Sequence, residues 1–338
     1  MSSSNRDTAR YLYAILPNLE GRQLPDRLDD EIYLIKGRHF AAVVKNAATP
    51  SPVTGDRQEL ARMLLAHQQV IERVMAWTPV LPVKFGTVAP DGGSVVRCLA
   101  NGAAAFADAF QRMKGRTQFE ILVTWDPEPV FAAIAANPKI VELKQQLTTG
   151  AGAPDPVAVA RLGVLAKQFF DRRREEVSDA IAEVLRKTAE DAVTNALMDD
   201  RMVLNIALLI DDQKTAALDD CLETLDASYG GKLTFRCIGP LPSYSFAAVE
   251  LSFLDADRIA RARRLLELDV IQDAKTVQAA YRRLTKLVHP DTSGAVDVGG
   301  RIAELNDAFT TLSSYVDARG PVLIAVNRTE PAFAVGDG

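Results

Sequence analysis

The sequence predicts an α+β protein: two mixed domains in succession, then a segment that is helical throughout. Three observations carry this. Short β-like runs alternate with long helical patterns as far as residue 252. Two early runs are parted by a turn-length gap, so hairpins occur as well as crossovers. From residue 256 the apolar spacing is helical only, through residue 317. The division that follows is 1–117, 118–255, 256–319 and a tail at 320–338. A chain of 338 residues is also long for one ordinary core.

Residues 10–16, Arg-Tyr-Leu-Tyr-Ala-Ile-Leu, read as a strand that Pro17 ends. Residues 32–35 and 40–44 read as a hairpin around Lys36-Gly37-Arg38. Thr49-Pro50-Ser51-Pro52 is a loop, and Leu60, Leu64, Val70, Val74 and Trp77 place a helix over 55–77 that Pro79 and Pro82 stop. Residues 94–114, small and alanine-rich, read as one further helix.

In the second domain, 119–125 is a buried strand, and Asp126-Pro127 has the form of an N-cap followed by proline at the first helical position. A Gly/Ala/Pro loop at 150–156 precedes a helix from 157 to about 196. Its apolar face is Leu162, Ala166, Phe169, Val177, Ile181 and Val184, with Arg173 interrupting the stripe. The run Asp171-Arg172-Arg173-Arg174-Glu175-Glu176 reads as a solvated face laced with ion pairs rather than a nucleic-acid contact. A strand at 202–210, a helix at 212–229 capped by Gly230-Gly231, and strands at 233–238 and 244–251 complete the domain. The order resembles a modified ferredoxin-like fold. The run at 322–326 is a strand able to pair back to an earlier sheet.

Composition narrows the function. Lys plus Arg is 39 and Asp plus Glu is 44, a net charge of -5, so no nucleic-acid-binding field is expected. Three scattered cysteines exclude a disulfide scaffold or a cysteine-rich zinc site and suit a reducing cytoplasm. The N-terminus has no apolar signal segment and no run approaches membrane-spanning length, so a cytoplasmic protein without a membrane partner is expected. His39 and His67 stand alone, and no GxxxxGK[ST], HExxH or GxSxG motif occurs. The pairs Asp199-Asp200, Asp211-Asp212 and Asp219-Asp220 suit caps and solvated ends better than a metal. The expectation is a protein that is not an enzyme and carries no cofactor or metal. An enzyme would instead need a polar pocket with converging titratable groups.

The helical segment carries the sharpest short motif. Val277, Tyr281, Leu284 and Val288 line one face of 274–288, with Ala280 and Leu287 beside them. Arg282, Arg283 and Lys286 fall mostly away from that stripe. His289-Pro290-Asp291 ends the helix, a Gly-containing loop follows at 293–300, and a second helix carries Ile302, Leu305, Phe309, Leu312 and Val316. Together with Ala280-Tyr281-Arg282-Arg283-Leu284 and Leu305-Asn306-Asp307-Ala308-Phe309, this resembles the J-domain of DnaJ-type co-chaperones over about 263–317. Its first helix is reduced to about 262–268. The resemblance implies a DnaK-type chaperone as partner, with Arg282, Arg283 and Lys286 docking on an acidic surface and His289, Pro290 and Asp291 engaging its switch region. J-like helices kept only for packing are the alternative.

Three motifs stand out: Tyr11-Leu12-Tyr13-Ala14-Ile15, Val80-Leu81-Pro82-Val83-Lys84-Phe85-Gly86-Thr87 and Gly239-Pro240-Leu241-Pro242-Ser243-Tyr244-Ser245-Phe246. By their order and separation, residues from about 10 to 252 resemble the gas vesicle protein family GvpF/GvpL. Ala14, Leu241 and Ser243 depart from the family's usual glycine, tryptophan and proline. Physically the motifs look structural. Leu81, Val83 and Phe85 alternate as a half-buried strand does, Lys84 points the other way, and Tyr244 and Phe246 share one face of a strand. The resemblance implies a minor gas vesicle protein that binds the hydrophobic shell protein GvpA, works beside other minor gas vesicle proteins, and helps nucleate or build the wall. Leu81, Lys84, Phe85, Tyr244 and Phe246 are the residues assigned to shell contact. A J-like segment suits that task, because an aggregation-prone subunit needs holding before assembly.

Overall fold

In a computed structural model, residues 8–18, 24–47, 56–148, 155–288, 298–318 and 320–328 are described. The expected loop at 49–52, most of that at 150–156, and His289, Pro290 and Asp291 lie outside these residues. The fold is mixed α+β with antiparallel sheets, as expected, and divides into two compact units. One is drawn from Met1–Arg112 and Ala247–Asn327, the other from Met113–Phe246 and Arg328–Gly338.

In the first unit β1 (Ala9–Pro17) is the central strand. Its run Tyr-Leu-Tyr-Ala-Ile-Leu is buried throughout, which an apolar sequence without alternation requires. The hairpin partners are β2 (Ile32–Lys36) and β3 (Phe40–Ala47), and β3 lies antiparallel beside β1. The other edge of β1 takes β4 (Leu81–Pro82) and β5 (Val88–Ala89). Helix α1 (Arg57–Met75) starts at Asp56, whose carboxylate accepts from the N–H groups of Gln58 and Glu59 at 2.9 and 2.8 Å, and buries His67, Ile71 and Val74. The single helix expected at 94–114 is two: α2 (Gly92–Asn101) and α3 (Ala103–Met113). The break falls at Gly102, where a Cβ would stand 2.5 Å from the Phe106 ring.

The remainder of this unit comes from the far end of the chain. β10 (Ala248–Phe253) pairs with β11 (Val322–Asn327), and Val249 bridges Val83 in parallel. The expected strand at 322–326 therefore forms. The expected strand at 244–251 is shorter, because 243–247 is turn and bend, and it pairs with β11 rather than with the strand before it. Between β10 and β11 lie α8 (Ala256–Leu265), α9 (Ala274–Val288) and α10 (Val298–Asp317). They share one core of Ala262, Leu266, Val277, Ala280, Leu284, Leu305, Ala308 and Leu312. Helix α8 begins six residues before the expected 262, at an Asp255 cap, and Leu287 faces solvent instead of joining the stripe.

The second unit contains β6 (Arg116–Trp125), β7 (Asp191–Thr194), β8 (Met202–Asp211) and β9 (Leu233–Leu241), ordered β7-β8-β6-β9 and antiparallel throughout. Helices α4 (Glu128–Ala135), α5 (Pro138–Thr148) and α6 (Pro156–Thr188) connect β6 to β7, and α7 (Thr215–Tyr229) connects β8 to β9. This is the β-α-β-β-α-β ferredoxin-like order, with two extra helices in the first crossover. The expectation holds, but through β7, which the sequence hides at the end of a helical pattern. Helix α6 stops at Thr188 rather than near 196. Its buried stripe is Phe170, Val177, Ile181, Ala182 and Leu185; Val184 is exposed, Phe169 only half-buried, and Arg173 lies on the outside. Arg174 is the arginine that folds inward, over the Phe170 ring and onto Asp171 at 2.9 Å. The charge run is an ion-paired surface, with Lys167–Asp171 and Arg173–Glu176 contacts. Asp126 accepts from the Glu128 N–H as a turn-former, but α4 starts one residue later than expected, with Pro127 rather than Asp126 at its cap position; Asp199 accepts from Met202 and Asp211 from Gln213. Gly230, at φ 58°, ends α7 as expected.

Candidate interaction surface

The 80–87 motif is built around His67. The Tyr11 hydroxyl donates to His67 Nδ1 at 2.8 Å, and His67 Nε2–H donates to the Val83 carbonyl at 3.0 Å. The Gly86 N–H donates to the same tyrosine oxygen at 3.3 Å. Tyr13 stacks on the imidazole at 5.3 Å, and Phe85 meets it edge-on at 5.5 Å. Burial lowers the His67 pKa to about 4, so the ring is neutral and the pattern places its proton on Nε2. Burial also raises the Tyr11 hydroxyl well above its ordinary value. Gly86, at φ 83°, makes the turn that a side chain would resist. His67 is thus a satisfied core histidine that pins helix α1 to the motif.

The motif's expected contact residues divide sharply. Leu81 is fully buried, Phe85 half-buried, and Lys84 exposed. The strand expected through 81–85 covers only Leu81–Pro82, and Pro82 is buried too. Lys84 forms an ion pair with Glu250, whose carboxyl is lowered first by that hydrogen bond, and the Lys84 N–H donates to the Val249 carbonyl at 2.9 Å.

The 239–246 motif is locked from inside the second unit. Fully buried Gln118 accepts from the Ser245 N–H at 2.9 Å and donates from Nε2 to Ser245 Oγ at 3.2 Å. Gly239 has no room for a side chain: a Cβ would lie 2.5 Å from Phe119 Cδ1. Phe246, expected at a contact surface, is buried against Ala207 and Leu209, with Met113 and Val193 packed alongside. Tyr244 is half-buried in the turn.

On α9, Arg282, Arg283 and Lys286 are all exposed on the side away from Val277, Ala280 and Leu284. Arg283 pairs with Glu267 at 2.8 Å. Tyr281 stacks on Phe309 at 4.5 Å and donates to Asn306 Oδ1 at 2.6 Å, joining α9 to α10. Sequence reasoning did not find Gln118 or the Tyr11–His67 bond, since both depend on partners far apart in the chain. Among the described residues no cluster of three or more His, Cys, Asp or Glu side chains is placed to hold a metal, and no helix is long and apolar enough to cross a membrane.

The family model for gas vesicle synthesis protein GvpL/GvpF matches residues 9–248. The chain is 24% identical over 245 residues to gas vesicle protein F of Dolichospermum flosaquae, covering 71% of this chain and 98% of that one. It is 27% identical over 191 residues to gas vesicle protein F of Microcystis aeruginosa (strain PCC 7806), covering 55% and 77%. The crystal structure of GvpF from Anabaena sp. PCC7120 superposes with a TM-score of 0.56 at 22% identity, over 70% of this chain and 97% of that one. GvpF from Microcystis aeruginosa gives 0.55 at 22% identity, over 70% and 98%. Helices α8 to α10 lie beyond the family match. Because that match spans more than half of the sequence, the chain belongs to the gas vesicle synthesis protein GvpL/GvpF family, and its role is a gas-vesicle role.

Proposed function

We propose that this protein is a gas vesicle assembly factor that binds the hydrophobic shell protein GvpA and helps nucleate or build the vesicle wall. It works in the cytoplasm and at the vesicle, with other minor gas vesicle proteins, and makes or breaks no covalent bond. The observation that carries the reading is the family match across the sheets built on β1 and β6, residues 9–248. The burial of most motif side chains fits it as well. Motifs that hold a fold together suit a protein that presents surfaces better than one that lines a reaction pocket. Pull-down of the purified shell subunit by the full chain tests it. Capture is expected, together with loss or malformation of vesicles when the gene is deleted. Absence of binding together with normal vesicles would reject the reading.

A second reading adds recruitment of a DnaK-type chaperone. It is supported by the separate core of α8–α10 and the outward basic face of Arg282, Arg283 and Lys286. A basic face of this kind speeds encounter with an acidic partner and weakens with salt. Steady-state ATPase of a DnaK-type partner, stimulated by the wild type but not by His289→Gln, is the expected result. Equal rates with both proteins would remove it.

A further inference from the structure

We propose that the N-terminal half of α6 is where this chain grips its partner: an amphipathic helix of the vesicle-wall subunit, apolar along one stripe with a carboxylate beside it. This rests on the assembly reading above and specifies the surface that reading leaves open. All residues of α6 that are buried lie from Phe170 onward. Residues 156–169 have none: Leu162, Leu165 and Phe169 are half-buried, while Val157, Val159 and Val164 stand exposed. At about 100° per residue, Val157, Ala160 and Val164 fall on one outer line of the helix. Val157 is 66% and Val164 58% exposed. The only charges in this stretch are Arg161 and Lys167, with no acid until Asp171, which pairs with Lys167. Lys167 is thus met within this helix, and Arg161 beside the apolar line fits a partner helix that carries a carboxylate beside its own apolar stripe.

Gly163 supplies an independent sign. A glycine in a helix interior costs about 1 kcal/mol relative to alanine. A Cβ built at Gly163 meets nothing within 4 Å, so no neighbour among the described residues requires the side chain to be missing. A missing side chain beside an exposed apolar line admits a knob from a second helix and brings the axes closer. A fluid lipid surface gains nothing from such a notch, although a basic apolar helix could otherwise lie on an anionic bilayer. A second copy of this chain docking face to face around Gly163 would set Arg161 and Lys167 near their own equivalents, which like charge opposes.

The test uses the full chain with Gly163→Leu, Val164→Glu and a Gly163→Ala control, each over immobilised purified shell subunit. The open space at Gly163 predicts that Gly163→Leu melts no lower than wild type, so a loss of binding cannot come from unfolding. Wild type and Gly163→Ala are expected to bind alike, with Gly163→Leu and Val164→Glu at least tenfold weaker. If wild type binds and all three variants match it, this surface is wrong while the assembly reading stands. If wild type does not bind the shell subunit, the assembly reading fails and this inference fails with it. If the two disruptive variants instead keep shell binding but lose association with phosphatidylserine vesicles, or a concentration-dependent dimer, the face belongs to a bilayer or to a second copy.

Discussion

Acidification should weaken the first unit through one side chain, His67. Its imidazole is 3% exposed, and both nitrogens are taken by Tyr11 and Val83. Its pKa falls from 6.5 to about 4, with burial as the main cause. Above pH 6.5 the folded and unfolded chains both carry it neutral, and the fold bears no penalty. As pH drops from 6.5 toward 4 the unfolded chain takes up the proton and the folded chain does not, so stability is lost across that window and changes no further below it. At about 1.4 kcal/mol per pH unit the full effect is about 3 kcal/mol, of which about 2 kcal/mol is lost by pH 5. Urea unfolding at pH 7.5 and pH 5, read through Trp77 in a Trp125→Phe background, isolates this unit. His67→Gln keeps an amide in the same place and removes the titration. The wild type should lose about 2 kcal/mol more than His67→Gln between the two pH values. Parallel losses in the two proteins would refute the reasoning.

Other changes probe the remaining motif and the appended helices. Gly239→Ala should lower the stability of the second unit by about 1–3 kcal/mol, because the new methyl meets the Phe119 ring, and Phe119→Leu should restore part of it in a thermal melt. Gln118→Leu removes both partners of Ser245 in a buried turn and should cost about 1–3 kcal/mol, seen as faster proteolysis near 243–247. Leu312→Ala empties the shared core of α8–α10 and should cost about 2–5 kcal/mol, with amide exchange rising in those helices and not in β6 or β8.

The elements legible in the sequence are those whose signal is local. β1 announces itself by an unbroken apolar run, the β2–β3 hairpin by its spacing, α9 by a stripe that matches its observed bounds, and α7 by the glycine that ends it. β7 is four residues long and partly exposed, and it follows a 33-residue helix whose periodicity runs into it. Periodicity alone puts Phe169 and Val184 on the α6 stripe where the structure buries Phe170 and Leu185, because both neighbours are apolar and only packing chooses between them. Tyr244 and Phe246 alternate as a strand would, yet Gln118 on β6, 127 residues from Ser245, holds them in a turn.

The same limit explains why the candidate contact residues were read only in part. Apolar residues in a family motif are equally expected of a core and of a docking face, and spacing alone cannot separate the two. Leu81 and Phe246 belong to the core, and Lys84 is engaged by Glu250 from the other end of the chain. A docking face shows instead as apolar residues that the fold leaves uncovered, which a sequence never reveals. By that criterion residues 156–169 differ from both motifs. Val157, Val159 and Val164 stand exposed there beside half-buried Leu162, Leu165 and Phe169, and the glycine among them serves no neighbour among the described residues. An exposed valine line, on a helix that Gly163 weakens, has its physical explanation in a second polypeptide.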